Sequence, residues 1–270
     1  MSSTLAPKKP DWNKRIERTI SLGERHPGTA EVLNFYRRIL ELQKQIYECV
    51  ASLPALSRDG PFCERLDADA ALQQLPALLS LVQKNGPSKL AQEAADFSRA
   101  SPEECRQVLE VFLETQDADD AGPYAFFARV LFQPLAEYLA ATPAAMLTGF
   151  SGMVCPVCGA KPQVAVLRPE GDGGKRFLVC SFCMTEWEFR RILCPMCGEE
   201  DYAKLPRYNA EGISAVRVEA CETCHYYLKS VDLTVDGLAV PVVDEVATAA
   251  LDVWAMEYGF RKISRNLMGF

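Results

Sequence analysis

Four Cys-x-x-Cys pairs stand between residues 155 and 224, and they constrain this chain more than any other feature of its sequence. A pair with this spacing forms one tight turn that directs two thiolates to the same point, and a tetrahedral metal site needs four. Eight of the 11 cysteines therefore predict two metal ions per chain. The predicted ligands are Cys155, Cys158, Cys180 and Cys183 for site 1 and Cys194, Cys197, Cys221 and Cys224 for site 2.

The pairs belong to an internal repeat, which favours pairing them in chain order. "CPVCG" begins at Cys155 and "CPMCG" begins at Cys194, 39 residues later, and each is followed by short β-type runs and a second pair. A cross-braced arrangement, with both "CPxCG" turns on one ion, is the alternative. Disulfides within the pairs would suit a secreted chain. A thioredoxin-like redox pair needs a βαβ setting, which this hairpin-rich segment does not offer.

The remaining metal-binding residue types add little to the eight cysteines. Four sulfur ligands suit zinc and iron alike, so the ligand set leaves the metal open. His225 directly follows a complete set of four cysteines and is expected outside it. Cys49 and Cys105 lie on apolar helical stripes and are expected in the core, whereas Cys63 is uninformative.

The sequence predicts an α+β fold in which a helical domain precedes the cysteine-rich units. Ser101, Pro102 and Glu104 form a capping box at the start of one predicted helix. The segment 122–142 is apolar almost all round, which indicates a buried central helix. A stretch rich in Pro, Gly and Thr near residue 150 marks a boundary. The expected divisions are a helical domain at 1–150, four-cysteine β units at 151–190 and 191–240, and a C-terminal helix at 241–270 that packs on the preceding domains.

The charge and the hydropathy of the chain limit the kinds of partner that it is expected to bind. The formal charge of −7 and the pI of about 5.1 argue against nucleic acid or an anionic membrane. Residues 151–240 hold ten Lys and Arg against twelve Asp and Glu, so they lack a basic stripe. No apolar run is long enough for membrane insertion, and the N-terminus lacks a signal-peptide core. The expected location is the cytoplasm, where thiols stay reduced.

Longer motifs around the cysteines indicate a family. The helical first half, "CSFCMTEWEFRRILCPMCG", "CETCHYYLKSVD" and "DEVATAALDVWAMEYGF" together resemble the formate dehydrogenase accessory protein family (FdhE), over nearly the whole chain. The resemblance implies two tandem rubredoxin-like or zinc-ribbon β units that bind iron, with zinc as the alternative metal. It also implies a cytoplasmic maturation factor that binds the catalytic subunit of respiratory formate dehydrogenase before export. A homodimer is an alternative to a monomer.

The residue content indicates a binding protein rather than an enzyme. The chain has two histidines and no apparent catalytic triad or phosphate loop, and a metal with four protein thiolates has no open position for substrate. Trp187, Arg190, Arg191 and Tyr227 are of types enriched in interface hot spots and are the predicted partner-binding residues. In the alternative interpretation, Trp187 packs inward with Phe189 and the arginines are solvated. A rubredoxin-like electron-transfer protein is the alternative function, and a zinc-ribbon nucleic-acid-binding protein is a weaker one.

The repeat predicts that the purified protein binds two metal ions, each held by the cysteines of one copy. Metal analysis of protein prepared without air should give two ions per chain, and a visible spectrum identifies the metal because ferric four-thiolate sites are coloured and zinc sites are colourless. One ion per chain, or sulfurs from both copies around each ion, would contradict this prediction.

Overall fold

The α+β fold predicted from the sequence is confirmed in a computed structural model that describes residues 10–52, 60–115, 124–141, 149–171 and 173–270. Helices make up the first half of this described chain, and a mixed sheet and two short helices make up the second. The helices are α1 (Trp12–Arg25), α2 (Ala30–Ser52), α3 (Ala68–Asn85), α4 (Ser88–Phe97), α5 (Pro102–Thr115), α6 (Ala125–Ala140), α7 (Pro241–Ala247) and α8 (Ala249–Glu257). The strands are β1 (Pro162–Glu170), β2 (Gly173–Cys180), β3 (Glu186–Glu188), β4 (Arg207–Ala210), β5 (Ile213–Ala220), β6 (Tyr226–Asp232) and β7 (Arg261–Lys262).

Helix α6 is the centre of the helical half. Thirteen of its 16 residues are buried, as its all-round apolar sequence predicts. It packs against α2, α3 and α5. Among the described residues, none of the helices is both long and apolar enough to cross a membrane.

The capping box at the start of α5 forms as predicted. The backbone N–H of Ser101 donates to the Glu104 carboxylate at 2.7 Å, and the N–H of Glu104 donates back to the Ser101 hydroxyl at 3.3 Å. Of the two helical cysteines expected in the core, Cys105 is buried but Cys49 is exposed. That expectation was wrong for Cys49 because the last turns of α2 bury Tyr47 and Val50, and position 49 lies outside the arc that these residues define.

The strands of the described chain form one sheet in the order β3-β2-β1-β6-β5-β4, with β7 added beside β6. Strands β1 to β3 form the first copy of the repeat and β4 to β6 form the second, and each copy is antiparallel internally. The copies meet where β1 pairs with β6 in parallel. The sequence predicts the two copies but not their fusion into a single sheet. The β-type run at 186–194 yields only the three residues of β3.

The C-terminal segment forms two short helices and a strand instead of a single helix. Thr248 interrupts the helical path with φ −102° and ψ 37°. Its carbonyl oxygen accepts a hydrogen bond from the buried Lys229 ammonium at 3.3 Å, and its hydroxyl donates to the Asp244 carbonyl at 2.9 Å. Helix α7 packs against α1 on one side and against β1 and β6 on the other, so it joins the two halves. The stretch 142–148, which includes most of the predicted boundary, lies outside the described residues.

A buried network of four charges connects the C-terminal segment to the sheet. Lys229 on β6 contacts the carboxylates of Glu245 at 3.1 Å and Asp252 at 2.5 Å. Lys262 on β7 contacts the same two carboxylates, and these four side chains are at most 4% exposed. Tyr227 donates from its hydroxyl to Asp252 at 2.8 Å. The motifs "CETCHYYLKSVD" and "DEVATAALDVWAMEYGF" therefore meet in this network.

The charge balance inside the network keeps Glu245 ionised. Burial by itself would raise the pKa of Glu245, but the charges of Lys229 and Lys262 outweigh burial and lower that pKa to about 2. Asn266 supports the charged form further by donating to the carboxylate at 2.8 Å. Because the folded pKa lies below the ordinary value of about 4.3, this carboxylate stabilises the fold above that pH and loses its contribution as the pH falls towards 2.

We expect Glu245→Gln to lower the free energy of unfolding by about 3 to 5 kcal/mol, because it leaves two buried ammonium groups facing one carboxylate. The matched control is Glu200→Gln, which breaks an exposed ion pair with Arg190 and should cost less than about 1 kcal/mol. Chemical denaturation at neutral pH measures both changes. Similar losses for the two variants would contradict the importance of the network.

Candidate metal centres

The eight paired cysteines come together in two groups of four, and each group contains one copy's residues. Within each group the sulfur atoms all lie within 4.8 Å of one another. In site 1, Cys155 and Cys183 are 3.5 Å apart and Cys158 and Cys180 are 3.3 Å apart, measured between Sγ atoms. In site 2 the Cys194–Cys224 and Cys197–Cys221 sulfur distances are both 3.7 Å. The sulfurs thus group sequentially and not across the two "CPxCG" turns.

The donor set and its dimensions fit a tetrahedral metal ion. With metal–sulfur bonds of about 2.3 Å, the sulfurs of a regular tetrahedron lie about 3.8 Å apart, close to the separations in site 2 and slightly longer than those in site 1. Burial raises the pKa of the Cys180 and Cys183 thiols well above the ordinary value. A bound cation reverses that preference, because it stabilises thiolates where water cannot.

In all four turns, the residue directly after the second cysteine has a positive φ. Glycine fills this position in the two "CPxCG" turns, with φ of 79° at both Gly159 and Gly198. Met184 and His225 occupy it in the other two turns, with φ of 57° and 58°, although side chains disfavour this conformation. A hydrogen bond from the N–H at this position to the carbonyl of the first cysteine closes three of the turns, at Gly159, Gly198 and His225.

Backbone N–H groups point at the sulfurs inside the turns. The N–H two residues after the first cysteine donates to its sulfur from Val157, Phe182 and Met196 at 3.3 to 3.4 Å. At Cys221, burial raises the thiol pKa while backbone N–H groups, including that of Thr223, lower it, and the lowering prevails. Such contacts offset part of the negative charge on four clustered thiolates.

The parallel β1–β6 pairing places both clusters at the same end of the sheet. Strand β1 begins shortly after Cys158 and β6 begins shortly after Cys224, so both strands run away from their turns in the same direction. Cys180 ends β2 and Cys221 follows β5, with β1 and β6 between them. Three inter-strand spacings of about 4.8 Å separate these two cysteines by roughly 14 Å.

Side chains of the helical half hydrogen-bond to the second turn of site 1 and pack against it. The side chains of Arg129 and Gln133 on α6 both donate to the Ser181 carbonyl at 2.9 Å. Phe182, in the same turn, packs edge-on against Phe112 of α5 with ring centroids 5.8 Å apart. These supporting residues are not among the site residues predicted from the sequence. The signal for them in the sequence is that three long polar side chains, those of Arg129, Gln133 and Glu137, interrupt the otherwise apolar α6.

Site 2 is partly open to solvent. Cys197 is exposed and Cys224 is partly exposed, whereas all four cysteines of site 1 are buried. A side-chain hydrogen bond of 2.6 Å from Thr223 to Glu199 links the two turns. A shallow recess beside Cys194 and Cys221 is lined by Arg176, Arg191 and Arg207, together with Glu219.

The predicted partner-binding residues divide into a buried pair and an exposed pair. Trp187 is 2% exposed and donates from its indole to the Gly152 carbonyl at 3.0 Å. Tyr227 is 1% exposed and belongs to the charge network, so neither side chain offers a surface to a partner in this structure. Arg190 and Arg191 are exposed, as the alternative interpretation expects.

His225 lies beside site 2 but outside its group of four sulfurs. Its imidazole is 6.3 Å from the Phe260 ring, and its carbonyl accepts from the Arg261 N–H at 2.8 Å. The contribution of His225 that the structure shows is therefore the backbone conformation of the turn and a link to β7.

The protein consists of a helical body joined to a mixed sheet that carries two four-cysteine clusters. It therefore belongs to the class of proteins with two candidate tetrathiolate metal centres. The chain belongs to the FdhE family. The family profiles described as "FdhE, central domain" and "FdhE, C-terminal domain" match residues 154–191 and 192–268.

Full-length relatives support this membership. A Protein FdhE homolog of Aquifex aeolicus is 30% identical over 94% of both chains. A Protein FdhE homolog of Pectobacterium carotovorum is 27% identical over 94% of this chain and 86% of its own. The crystal structure of the FdhE protein from Pseudomonas aeruginosa superposes with a TM-score of 0.76 at 25% identity, over 97% of both chains.

We expect Cys155→Ser and Cys194→Ser to destabilise the sheet far more than Cys105→Ala. Loss of one thiolate removes much of the folding energy that a structural metal supplies, several kcal/mol, whereas trimming the buried Cys105 is a packing loss of about 1 kcal/mol. Thermal unfolding and metal content of the three variants measure the difference. Comparable thermal shifts in all three would contradict the assignment of these cysteines as ligands.

Proposed function

We propose that this protein is an accessory factor for respiratory formate dehydrogenase that binds the catalytic subunit of that enzyme in the cytoplasm before export. The observation that carries the proposal is the presence of two four-cysteine clusters on one sheet in a chain of the FdhE family. The helical half and the sheet then act together as a docking body. In this proposal the division into a helical domain, two four-cysteine units and a C-terminal segment follows the sequence boundaries at 150, 190 and 240.

The eight cysteines are the proposed ligands of two metal ions per chain, with iron favoured and zinc as the alternative. Iron held by four thiolates can change its oxidation state without changing ligands, whereas zinc supplies structure alone. The residues of this chain provide the sulfur cage, the N–H groups that face the sulfurs, and the support behind the second turn of site 1.

We propose that the protein is not an enzyme. In each site, four thiolates of the chain would fill the tetrahedron around the ion, which leaves no coordination position for a substrate. A role in binding and maturation therefore fits these centres better than hydrolysis or Lewis-acid catalysis.

The exposed arginine pair next to site 2 is the proposed contact for the catalytic subunit. Arg190 forms an exposed ion pair with Glu200 at 2.8 Å, and Arg191 donates to the Gly174 carbonyl at 3.1 Å while it also lines the recess beside Cys194. Exposed arginines can exchange such weak contacts for stronger ones with a partner.

Electron transfer is the second candidate function, and the exposure of Cys197 favours it. An iron centre with an exposed sulfur can exchange electrons with a partner that docks at that surface. The proposal predicts a visible spectrum that a mild reductant bleaches reversibly, whereas a zinc centre is colourless and would show no such change.

We expect the double variant Arg190→Glu, Arg191→Glu to weaken capture of the formate dehydrogenase catalytic subunit by about tenfold or more, because reversed charges at a contact both remove attraction and add repulsion. Co-purification and titration of the subunit, together with metal analysis of the variant, measure the effect.

The matched control is Arg25→Glu, Arg99→Glu, which reverses two exposed arginines of the helical half and should leave capture intact. Unchanged capture by the Arg190 and Arg191 variant would remove these residues from the contact. Loss of metal in that variant would show instead that the two arginines support the cysteine turns.

A further inference from the structure

The two four-cysteine clusters differ in their access to solvent. In site 1 the four cysteines are between 0% and 9% exposed. In site 2, Cys194 and Cys221 are as buried as those, but Cys197 is exposed and Cys224 is partly exposed. The same repeat has therefore produced one enclosed cluster and one that presents a ligand sulfur at the surface.

The two clusters also differ in how the surrounding chain holds their turns. The second turn of site 1 is fixed by α6, through two hydrogen bonds to the Ser181 carbonyl, and by the packing of Phe182 against Phe112. The corresponding turn of site 2 has exposed side chains at Glu222, Thr223 and His225. Its Thr223–Glu199 hydrogen bond connects it to the other turn of its own site, and backbone hydrogen bonds connect it to the rest of the chain, from the Glu222 N–H to the Lys204 carbonyl at 2.9 Å and from the Arg261 N–H to the His225 carbonyl at 2.8 Å.

Release of a metal from four thiolates begins when one sulfur leaves, and this requires a local opening of its turn. Opening costs the free energy of the contacts that hold the turn, so exposed and weakly supported turns open far more often than buried ones. Approach of an external ligand adds a second requirement, because the ligand must reach the metal while the site is open. In site 2 the exposed Cys197 is within reach of an external ligand, whereas all four cysteines of site 1 are buried and the second turn of that site is held by α6.

We infer that site 2 is an exchangeable metal centre that loads and releases its ion through Cys197, whereas site 1 keeps its ion as a permanent part of the fold. The exchanging partner is a soft donor, a thiolate or an aromatic-nitrogen chelator. This inference rests on the proposed assignment of the eight cysteines as metal ligands.

The exchange step changes ligands and leaves the oxidation state of the metal unchanged. Cys197 would give up its bond to the metal, and a donor atom of the incoming ligand would take the position that its sulfur leaves. Repetition at the other three sulfurs transfers the ion completely, and the reverse sequence loads it.

Chelator competition on the full chain with two bound Zn²⁺ ions tests the inference. With 4-(2-pyridylazo)resorcinol as the probe, we expect two phases of equal amplitude, one ion per chain in each, with rates that differ by at least about tenfold. A thiol-alkylating reagent added after the fast phase, followed by peptide mass spectrometry, then identifies the emptied site. The expected labels are on Cys194, Cys197, Cys221 and Cys224, with the four cysteines of site 1 protected.

A variant of the helical support tests the cause of the difference. Gln133→Ala removes one of the hydrogen bonds to the Ser181 carbonyl and should speed the slow phase by about fivefold, while the fast phase stays unchanged. The matched control is Gln92→Ala, which removes an exposed hydrogen bond on α4 and should alter neither phase.

The outcomes separate failure of this inference from failure of the metal assignment. Two ions released at one rate, or early labels on site 1, would overturn the inference and leave the metal sites in place. Failure of the chain to bind two ions would overturn both. Acceleration of the fast phase by Gln133→Ala would contradict the inference, because it would show that the helical support acts on site 2 and not on site 1.

Discussion

Charge repulsion among clustered thiolates is the constraint on which the rest of this structure depends. Each group holds four sulfur atoms within 4.8 Å of one another, and four thiolates at that separation repel unless a cation lies between them. The strands that carry the turns are three to nine residues long and bury little apolar surface by themselves. Metal coordination therefore offsets the repulsion among the thiolates. The shared sheet and the helical support hold the cysteine turns in the positions that coordination requires.

Features set by local chemistry could be predicted from the sequence. The capping box at Ser101 and Glu104 and the buried helix α6 follow from short-range patterns, and both form as predicted. The two sulfur groups follow from spacing alone, because a repeat of 39 residues with two pairs per copy gives each copy a complete set. The two glycines after "CPxC" likewise indicate a turn with positive φ.

Features set by contacts distant in sequence could not be predicted. Trp187 and Tyr227 carry interface-type side chains, but the packing of α8 and of the chain near Gly152 buries them. The sequence does not reveal that Lys229 is balanced by carboxylates from two helices that follow it in the chain. The solvent-facing position of Cys49 depends on which side of α2 its neighbours cover. The same limit applies to the β1–β6 pairing, since the repeat identifies each unit but not how the two units meet.

The parallel pairing of β1 and β6 has a consequence for the open edges of the sheet. A single four-cysteine unit ends in an open strand edge, and an open edge invites pairing with other chains. Joining two copies side by side covers the edge of one with the edge of the other, so the tandem sheet has fewer open edges than two separate units would have. The first unit expressed alone would lose that cover along Val164–Leu167, the residues of β1 that pair with β6. In the tandem arrangement each copy thus covers a strand edge of the other, and deletion of either copy would expose that edge.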